Sequence, residues 1–208
     1  MEILSNFVVF EGGDGSGTTT QVSLLTERLN NYTNIKHFST FEPTGEVIGK
    51  LIRSALKKEI TFKPETLAML FAAQRNEHLY GQDGILEHIK KGCLVISDRY
   101  ALSSFVYQGI ECGNDLPFSL NSRFPAPEIT FFLDIDPQIA HSRMKNRSSF
   151  EIYEYLEFME KVRLQYISCI EIYRKMGAKV EIIDASKSAQ EVADQVWSIL
   201  SGMPIFKA

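Results

Sequence analysis

The chain has 208 residues, of which 44% are hydrophobic and 23% are charged, and its formal net charge is −4. This composition predicts one folded domain over residues 1–208 and argues against a disordered or fibrous chain. No block of lysine and arginine suggests nucleic-acid binding, and no apolar run approaches the roughly 18 residues of a membrane-spanning helix, so neither partner is expected.

The cysteines and the N-terminus bear on the compartment. Cys93, Cys112 and Cys169 are far apart, and their odd number fits neither a metal motif nor a disulfide framework. The chain starts with Glu2 after the methionine and has no positively charged segment ahead of an apolar run, which argues against a secretory signal. Reduced thiols and the missing signal predict a cytoplasmic location.

Short apolar runs alternate with longer helical patterns. The runs span residues 7–10, 35–40, 93–97, 129–133 and 179–183, and each is typical of a strand buried in a parallel sheet. The helical patterns span residues 20–31, 46–58, 64–80, 81–91, 151–176 and 188–200. This alternation predicts right-handed βαβ units and therefore an α/β fold with helices on both faces of the sheet. Ligands of such sheets bind beyond the carboxyl ends of the strands.

The first strand leads into a glycine-rich loop, which runs from Gly12 to Thr20 and precedes a helix. This is the context of phosphate-binding loops of the form G-x-x-x-x-G-K-[ST], whose backbone N–H groups face a phosphate at the helix N-terminus. Gly12 and Gly17 have the required spacing, and the Thr19 hydroxyl can bind Mg²⁺. Thr18 replaces the lysine, which removes a charge-assisted hydrogen bond worth roughly 1.5–3 kcal/mol. A glycine turn without a ligand is the alternative interpretation of this loop.

Two further segments carry residues suited to a phosphate and a base. The third strand is followed by Asp98, which can hold a Mg²⁺-bound water, and by Arg99, which can bind phosphate with two parallel hydrogen bonds. Phe71 and Arg75 share one helix face, so a ring can stack on a base while a guanidinium donates to its carbonyl edge. Taken singly, Asp98 and Arg99 are also explained by a surface ion pair, and a core phenylalanine beside a surface arginine is the better explanation of Phe71 and Arg75.

The order and spacing of the motifs resemble the thymidylate kinase family over nearly the whole chain. The matching stretches are the glycine loop with the Thr-Gln that follows it, Phe41–Gly45, Phe71–Arg75, Asp98–Tyr100, Ser103–Gly109 and Leu133–Pro137. The resemblance implies a three-layer fold of the P-loop NTP hydrolase type with a parallel five-stranded sheet, usually in a homodimer. It implies transfer of the γ-phosphoryl group of ATP to dTMP, with Mg²⁺, giving dTDP and ADP.

The resemblance also implies roles for individual residues in dTMP binding. Phe71 would stack on thymine, Arg75 would donate to thymine O4, and Arg99 would hold the dTMP phosphate. Asp14 would contact the sugar 3′-hydroxyl or a Mg²⁺-bound water. Tyr107 would lie under the deoxyribose, where a 2′-hydroxyl would crowd it.

The other implied positions frame both nucleotides. Ser104 and Gln108 would line the base edge, and Glu42 with Pro43 would shape the monophosphate pocket. The implied ATP-binding residues are Gly12, Gly13, Asp14, Gly15, Ser16, Gly17, Thr18, Thr19 and Thr20. Thr19 and Asp98 would bind Mg²⁺ through water. Residues 184–186, after the last strand, occupy the place where relatives wrap the ATP base.

The chain departs from the family pattern at several positions near the phosphates. Besides Thr18, Phe41 stands where many relatives have an arginine, and Gln74 replaces the usual aspartate before Arg75. A lid is expected near residues 141–154, where the family's frequent Asp-Arg-Ile-Glu is replaced by Glu-Ile-Tyr-Glu.

We expect other cations to substitute for the lysine. Arg143 and Arg147 are four residues apart and can act as a pair on the triphosphate, and Arg99 is the third candidate. The candidate catalytic residues are therefore Asp14, Arg99, Arg143 and Arg147.

Two alternative functions stay open at the level of the sequence. One keeps the reaction and changes the acceptor to dUMP or another pyrimidine monophosphate, because the pocket for the thymine methyl group has no visible signature. The other is a nucleotide-binding protein with little turnover, which the loss of the lysine at Thr18 motivates. Retention of Asp98, Arg99, Phe71 and Arg75 argues against the second alternative.

Overall fold

The computed structural model describes residues 1–31, 34–144 and 152–207. Within them, five strands form one sheet, and every neighbouring pair is parallel. The strands are β1 (Ile3–Gly12), β2 (His37–Phe41), β3 (Leu94–Asp98), β4 (Ala126–Asp134) and β5 (Val180–Asp184), in the order β2-β3-β1-β4-β5. The five predicted strands and the α/β class are thereby confirmed.

Helices occupy most of the chain between the strands. They are α1 (Thr18–Leu29), α2 (Val47–Leu56), α3 (Pro64–Tyr80), α4 (Ile85–Lys90), α5 (Ala101–Cys112), α6 (Asp115–Asn121), α7 (Pro137–Met144), α8 (Ile152–Lys175) and α9 (Ala189–Leu200). The six predicted helices correspond to α1, α2, α3, α4, α8 and α9. None of the helices in the described ranges combines the length and apolarity needed to cross a membrane.

Three helices were not predicted, and α5 shows why. Seven of its twelve residues are buried, so no narrow apolar stripe marks it as amphipathic. The other two, α6 and α7, have only seven and eight residues, too few for a clear helical period. The missed helices matter because α5 supplies several residues of the site described below.

The hydrophobic core lies on both faces of the sheet, as the alternation of side chains along β1 requires. Val8 and Phe10 pack in one cluster with residues of α1 and α9. Phe7 and Val9 pack in another cluster with residues of α3, α4 and α5. All four β1 side chains are at most 1% exposed, which explains the continuous apolar run in the sequence.

The carboxyl ends of β1 and β3 lie side by side, because Phe10 of β1 is paired with Asp98 of β3. The loop that follows β1 leads into α1, and the loop that follows β3 leads into α5. This register places the glycine loop beside Asp98 and Arg99, as expected from the sequence.

Candidate active site

A cleft with a volume of about 1280 Å³ opens at the carboxyl edge of the sheet. Pockets for one small ligand measure roughly 300–1,000 Å³, so this cleft has room for two ligands. Its lining includes these predicted site residues: Gly13, Asp14, Gly15, Ser16, Gly17, Thr18, Thr19, Thr20, Glu42, Pro43, Phe71, Arg75, Asp98, Arg99, Ser104, Tyr107, Gln108 and Arg143. Gly12 lies just behind the lining, and Arg147 lies outside the described residues.

The glycine loop has a backbone that needs its glycines. Gly15 and Gly17 have φ angles of +80° and +96°, in the left-handed region that favours glycine. A Cβ on Gly15 would come within 2.8 Å of the Ala140 carbonyl oxygen. Among the described residues no side chain caps the N-terminus of α1, and its first turn has no acidic residue. The first N–H groups of α1 therefore remain available to an anion.

Thr18 is the first residue of α1 and is only 7% exposed. Its short side chain lines the cleft without bringing a charge to it. The loop therefore offers backbone donors and hydroxyl groups to a phosphate, and any cation must come from elsewhere in the protein.

Thr19 and Asp98 form the part of the site that fits Mg²⁺. The Thr19 hydroxyl donates to Asp98 Oδ2 at 2.5 Å. The other carboxylate oxygen, Oδ1, is buried and accepts no hydrogen bond from the described residues. The described residues contain no group of three or more His, Cys, Asp or Glu able to enclose a metal. This arrangement suits Mg²⁺, which keeps several waters and is bound through few carboxylates together with phosphate oxygens.

Arg99 joins the glycine loop to α5. Its NH1 donates to the Gly12 carbonyl oxygen at 2.9 Å, and its NH2 donates to Asp14 Oδ1 at 2.8 Å. The guanidinium also lies over the ring of Tyr107, 5.4 Å from the ring centroid. Three residues predicted to bind the acceptor, Asp14, Arg99 and Tyr107, are thus in mutual contact.

Glu11 shares the hydroxyl groups of Ser103 and Tyr166 with Arg99 as hydrogen-bond partners. It is not among the residues predicted from the sequence. It is fully buried and accepts hydrogen bonds from Tyr100 N (2.9 Å), Ser103 N (3.1 Å), Ser103 Oγ (2.5 Å) and Tyr166 OH (3.1 Å). Burial raises the pKa of the Glu11 carboxyl to about 7. Arg99 NH1 faces the same two hydroxyls, of Ser103 (3.3 Å) and Tyr166 (3.4 Å). A glutamate at the end of a buried strand is the one signal that could have identified it.

Arg75 is buried rather than on the surface, so the interpretation of a surface arginine is wrong. Its Nε and NH2 donate to Glu42 Oε2 at 3.0 and 2.6 Å, and NH2 also donates to Ser104 Oγ at 3.2 Å. NH1 donates to the Asn121 side-chain carbonyl. Within the described residues, these bonds use one N–H of Nε, two of NH2 and one of NH1, which leaves one of the five donors of the guanidinium unused.

Glu42 compensates the buried charge of Arg75. Burial by itself would raise the pKa of the Glu42 carboxyl, but the Arg75 guanidinium and the adjacent His78 outweigh burial, and the pKa lies below its ordinary value. Breaking such a buried pair by removing one partner costs roughly 3–5 kcal/mol.

Phe41 and Arg53 lie together at the wall of the cleft. Phe41 is 46% exposed, and the Arg53 guanidinium lies over its ring, 5.1 Å from the centroid. Arg53 also donates to the Pro43 carbonyl oxygen. A cation is therefore present beside Phe41, where the family pattern has its own arginine, and it was not predicted as a site residue.

Arg143 lies at the opposite end of the cleft from Arg75. Its guanidinium donates to the carbonyl oxygens of Ala185 (2.9 Å), Ser186 (3.2 Å) and Lys187 (3.3 Å), in the loop after β5. These bonds join α7 to the segment expected to wrap the ATP base. Residues 145–151 of the predicted lid, including Arg147, lie outside the described residues, and residues 152–154 begin α8.

An all-parallel sheet, a glycine loop before an uncapped helix and a Thr–Asp pair beside it define a P-loop α/β protein that binds nucleotide phosphates. Phe71 and the buried Arg75 line the same cleft. The class is therefore that of P-loop proteins whose cleft has room for a second ligand beside the nucleotide.

The chain belongs to the thymidylate kinase family, whose model matches residues 10–196. A relative from Treponema pallidum, which is named as a thymidylate kinase, is 40% identical over 201 residues. The match covers 94% of this chain and 95% of the relative. A "Probable thymidylate kinase" of Pyrobaculum aerophilum is 39% identical over 202 residues (97% and 99% covered). One of Methanococcus maripaludis is 40% identical over 200 residues (93% and 94% covered).

Proposed function

We propose that this protein transfers the γ-phosphoryl group of ATP to dTMP, giving dTDP and ADP, and so serves dTTP biosynthesis. Family membership over residues 10–196 supports the reaction. The observation that carries the proposal is one cleft with a glycine loop and the Thr19–Asp98 pair at one end and Phe71 with Arg75 at the other. Neither alternative, another acceptor or a binding protein without turnover, has an observation that favours it.

The donor nucleotide is proposed to bind at the glycine loop, along Gly12, Gly13, Asp14, Gly15, Ser16, Gly17, Thr18, Thr19 and Thr20. The N–H groups at the start of α1 receive its phosphates. Thr19 and Asp98 hold Mg²⁺, which supplies neutralisation of phosphate charge when bound. The buried Asp98 Oδ1 without a hydrogen bond supports this assignment.

The acceptor is proposed to bind between α3 and α5. Phe71 stacks on the thymine ring, and Arg75 donates its remaining N–H to thymine O4. Arg99 binds the monophosphate, Asp14 contacts the sugar, and Tyr107 lies under the deoxyribose. The contacts of Arg99 with Asp14 and Tyr107 support a shared role for these three residues.

The remaining acceptor residues frame the base and phosphate. Ser104 accepts from Arg75, which supports its position at the base edge, and Gln108 lies one helical turn further along α5. Glu42 and Pro43 form the wall between β2 and α2. Among these, Glu42 also fixes Arg75, which goes beyond the pocket-shaping role implied by the resemblance.

Phosphoryl transfer requires chiefly positioning and charge stabilisation, so no protein nucleophile is needed. Asp14, Arg99, Arg143 and Arg147 are proposed to supply these effects. Arg143 and Arg147 belong to a proposed lid near residues 141–154, and their charge offsets the missing lysine. In this proposal the lid is part of one domain that spans residues 1–208.

A homodimer in the cytoplasm is the proposed state of the protein. Val47 and Leu51 of α2 share one helix face and are 81% and 39% exposed, an apolar surface that association would cover. The three cysteines are free, in keeping with a reducing compartment. Sedimentation equilibrium should give about twice the chain mass of 23.6 kDa, and the chain mass alone would contradict the dimer.

An ADP-release assay with ATP and Mg²⁺ tests the reaction. dTMP, dUMP, UMP and dCMP are supplied separately, and ADP formation is expected to depend on dTMP. Faster turnover with another monophosphate would identify that nucleotide, instead of dTMP, as the acceptor. ATP and dTMP binding without turnover with any acceptor would contradict the kinase and favour a binding protein.

A further inference from the structure

His78 of α3 occupies the far side of the Glu42 carboxylate from the cleft's arginine, Arg75. His78 Nδ1 lies 3.0 Å from Glu42 Oε1, while Glu42 Oε2 receives both bonds from Arg75. His78 Nε2 lies 2.7 Å from Thr40 Oγ1 on β2. The side chains of His78 and Glu42 are 7% and 1% exposed. We call the hydrogen-bonded residues Thr40, His78, Glu42 and Arg75 the Glu42 network.

The chemistry of the Glu42 network determines which of its atoms donate hydrogen bonds and which accept them. An ionised carboxylate only accepts hydrogen bonds, so His78 Nδ1 must carry a hydrogen. When the ring carries a single hydrogen, Nε2 accepts the hydrogen bond from the Thr40 hydroxyl.

We propose that His78 is a positioning residue for recognition of the acceptor base. By donating to Oε1 it holds the plane of the Glu42 carboxylate, so that Oε2 faces Nε and NH2 of Arg75. This orientation directs the one remaining NH1 hydrogen of Arg75 toward the acceptor end of the cleft. The inference rests on the proposed function, in which Arg75 donates to thymine O4.

A positioning role for His78 predicts a change in the KM for dTMP alone, which a purely structural role does not predict. Loss of the donor leaves Oε1 buried without a hydrogen bond, and the carboxylate can then rotate toward a second donor of Arg75. Such a rotation changes the direction of Arg75 and hence the KM for dTMP. The ATP site lies at the other end of the cleft, so the KM for ATP is expected to stay the same.

Three substitutions separate the roles of the two ring nitrogens. His78→Asn places an amide donor near Nδ1, His78→Gln places one near Nε2, and His78→Phe keeps the ring without a donor. We expect Phe and Gln to raise the KM for dTMP about tenfold, and Asn to stay within about threefold of the wild type. His88→Phe is the matched control, because His88 stacks on Phe38 at 3.7 Å and lies outside the cleft lining.

The kinetic outcomes distinguish the inference from the function beneath it. Equal KM values for dTMP in His78→Asn, His78→Gln and His78→Phe would overturn the positioning role while leaving a thymidylate kinase. Parallel changes in the KM values for dTMP and ATP would likewise overturn it. Absence of dTMP turnover in the wild type would instead contradict the proposed function.

A second measurement is read from the wild-type protein, and a variant serves only to assign the signal. Long-range ¹H–¹⁵N correlation spectra of the wild-type protein at about pH 8 report which nitrogen of His78 carries the hydrogen. A hydrogen on Nδ1 is expected, with assignment of the signal by its loss in His78→Asn. An Nε2–H tautomer, whose Nδ1 has no hydrogen to donate to Glu42, would overturn the proposal.

Discussion

Thr18 shows how much of a phosphate site survives without its lysine. The donors that face a phosphate are backbone N–H groups at the start of α1, and they depend on Gly15 and Gly17 rather than on any side chain. Binding of phosphate can therefore persist while stabilisation of the charge that develops during transfer is reduced.

Restoring the lysine should raise the rate. Thr18→Lys adds a cation where the motif has one, and because the interaction strengthens in the transition state, kcat should rise about tenfold or more with the KM for dTMP unchanged. Thr18→Met, of similar length without charge, should leave kcat at or below the wild-type value. Steady-state kinetics checks both variants. An unchanged kcat in Thr18→Lys would mean that existing arginines already supply the full effect.

Glu11 should make stability depend on pH. Its pKa is about 7 in the folded protein against 4.5 ordinarily, so between these values the folded state binds more protons than the unfolded state. The contribution of Glu11 to the free energy of unfolding is then fully present below about pH 4.5. It is lost as the pH rises through 7 and amounts to about 3 kcal/mol. Glu11→Gln should flatten the free energy of unfolding across this window in urea titrations.

The exposed Glu27 on α1 provides the control for that experiment. Glu27→Gln removes a carboxyl of the same type from the surface and should retain the wild-type pH dependence. A slope that is the same in Glu11→Gln and the wild type would show that Glu11 does not titrate in this range.

At the residue scale, the sequence predicts residues that line the cleft better than the buried residues that hold them in place. Arg99, Arg75 and Phe71 stand in local motifs that can be read directly, and they line the cleft. Glu11 and Tyr166 escape notice because they are 155 positions apart and meet only in the folded protein. The burial of Arg75 was also missed, since its compensating partner lies on another element.

At the scale of elements, α8 stabilises the acceptor side through Tyr166. The Tyr166 hydroxyl reaches Glu11 of β1 at 3.1 Å and Ser103 of α5 at 2.9 Å. The long helix was predicted from its pattern, whereas its contact with α5 could not be, because α5 itself has no distinctive stripe.

Removing that hydroxyl should destabilise the protein. Tyr166→Phe leaves the buried Glu11 carboxylate with one donor fewer, and we expect a loss of about 1–3 kcal/mol in the free energy of unfolding. Tyr173→Phe is the control, because Tyr173 is also buried on α8 but is not among the described donors to Glu11. Chemical denaturation checks both. Equal losses would contradict a specific role for the Tyr166 hydroxyl.

At the scale of the whole molecule, one cleft joins two chemically different ends. The glycine loop follows the central strand β1, while Phe71 and Arg75 line the cleft from α3 and Tyr107 lines it from α5. The family motifs and strand pattern were sufficient to predict this architecture. The packing of three short or largely buried helices, and with it the contacts of Arg75 with Ser104 and Asn121, depends on distant segments of the chain.

The two ends should respond separately to ligands. dTMP at about one hundred times its Kd should stabilise the folded protein by about 2.7 kcal/mol. Phe71→Ala should reduce the stabilisation by dTMP, because the base loses its stacking partner, and leave that by a non-hydrolysable ATP analogue intact. Leu164→Ala, on the exposed surface of α8, should change neither. If Phe71→Ala lost the stabilisation by dTMP and by the ATP analogue to the same extent, separate sites would be contradicted.

The most direct measurement of the central claim follows the transferred group itself. The wild-type protein is incubated with γ-³²P-labelled ATP, Mg²⁺ and dTMP, and the products are separated by chromatography. Label in dTDP, formed in equal amount to ADP, is the predicted result. Label that stays in ATP, or appears only as inorganic phosphate, would contradict phosphoryl transfer to dTMP.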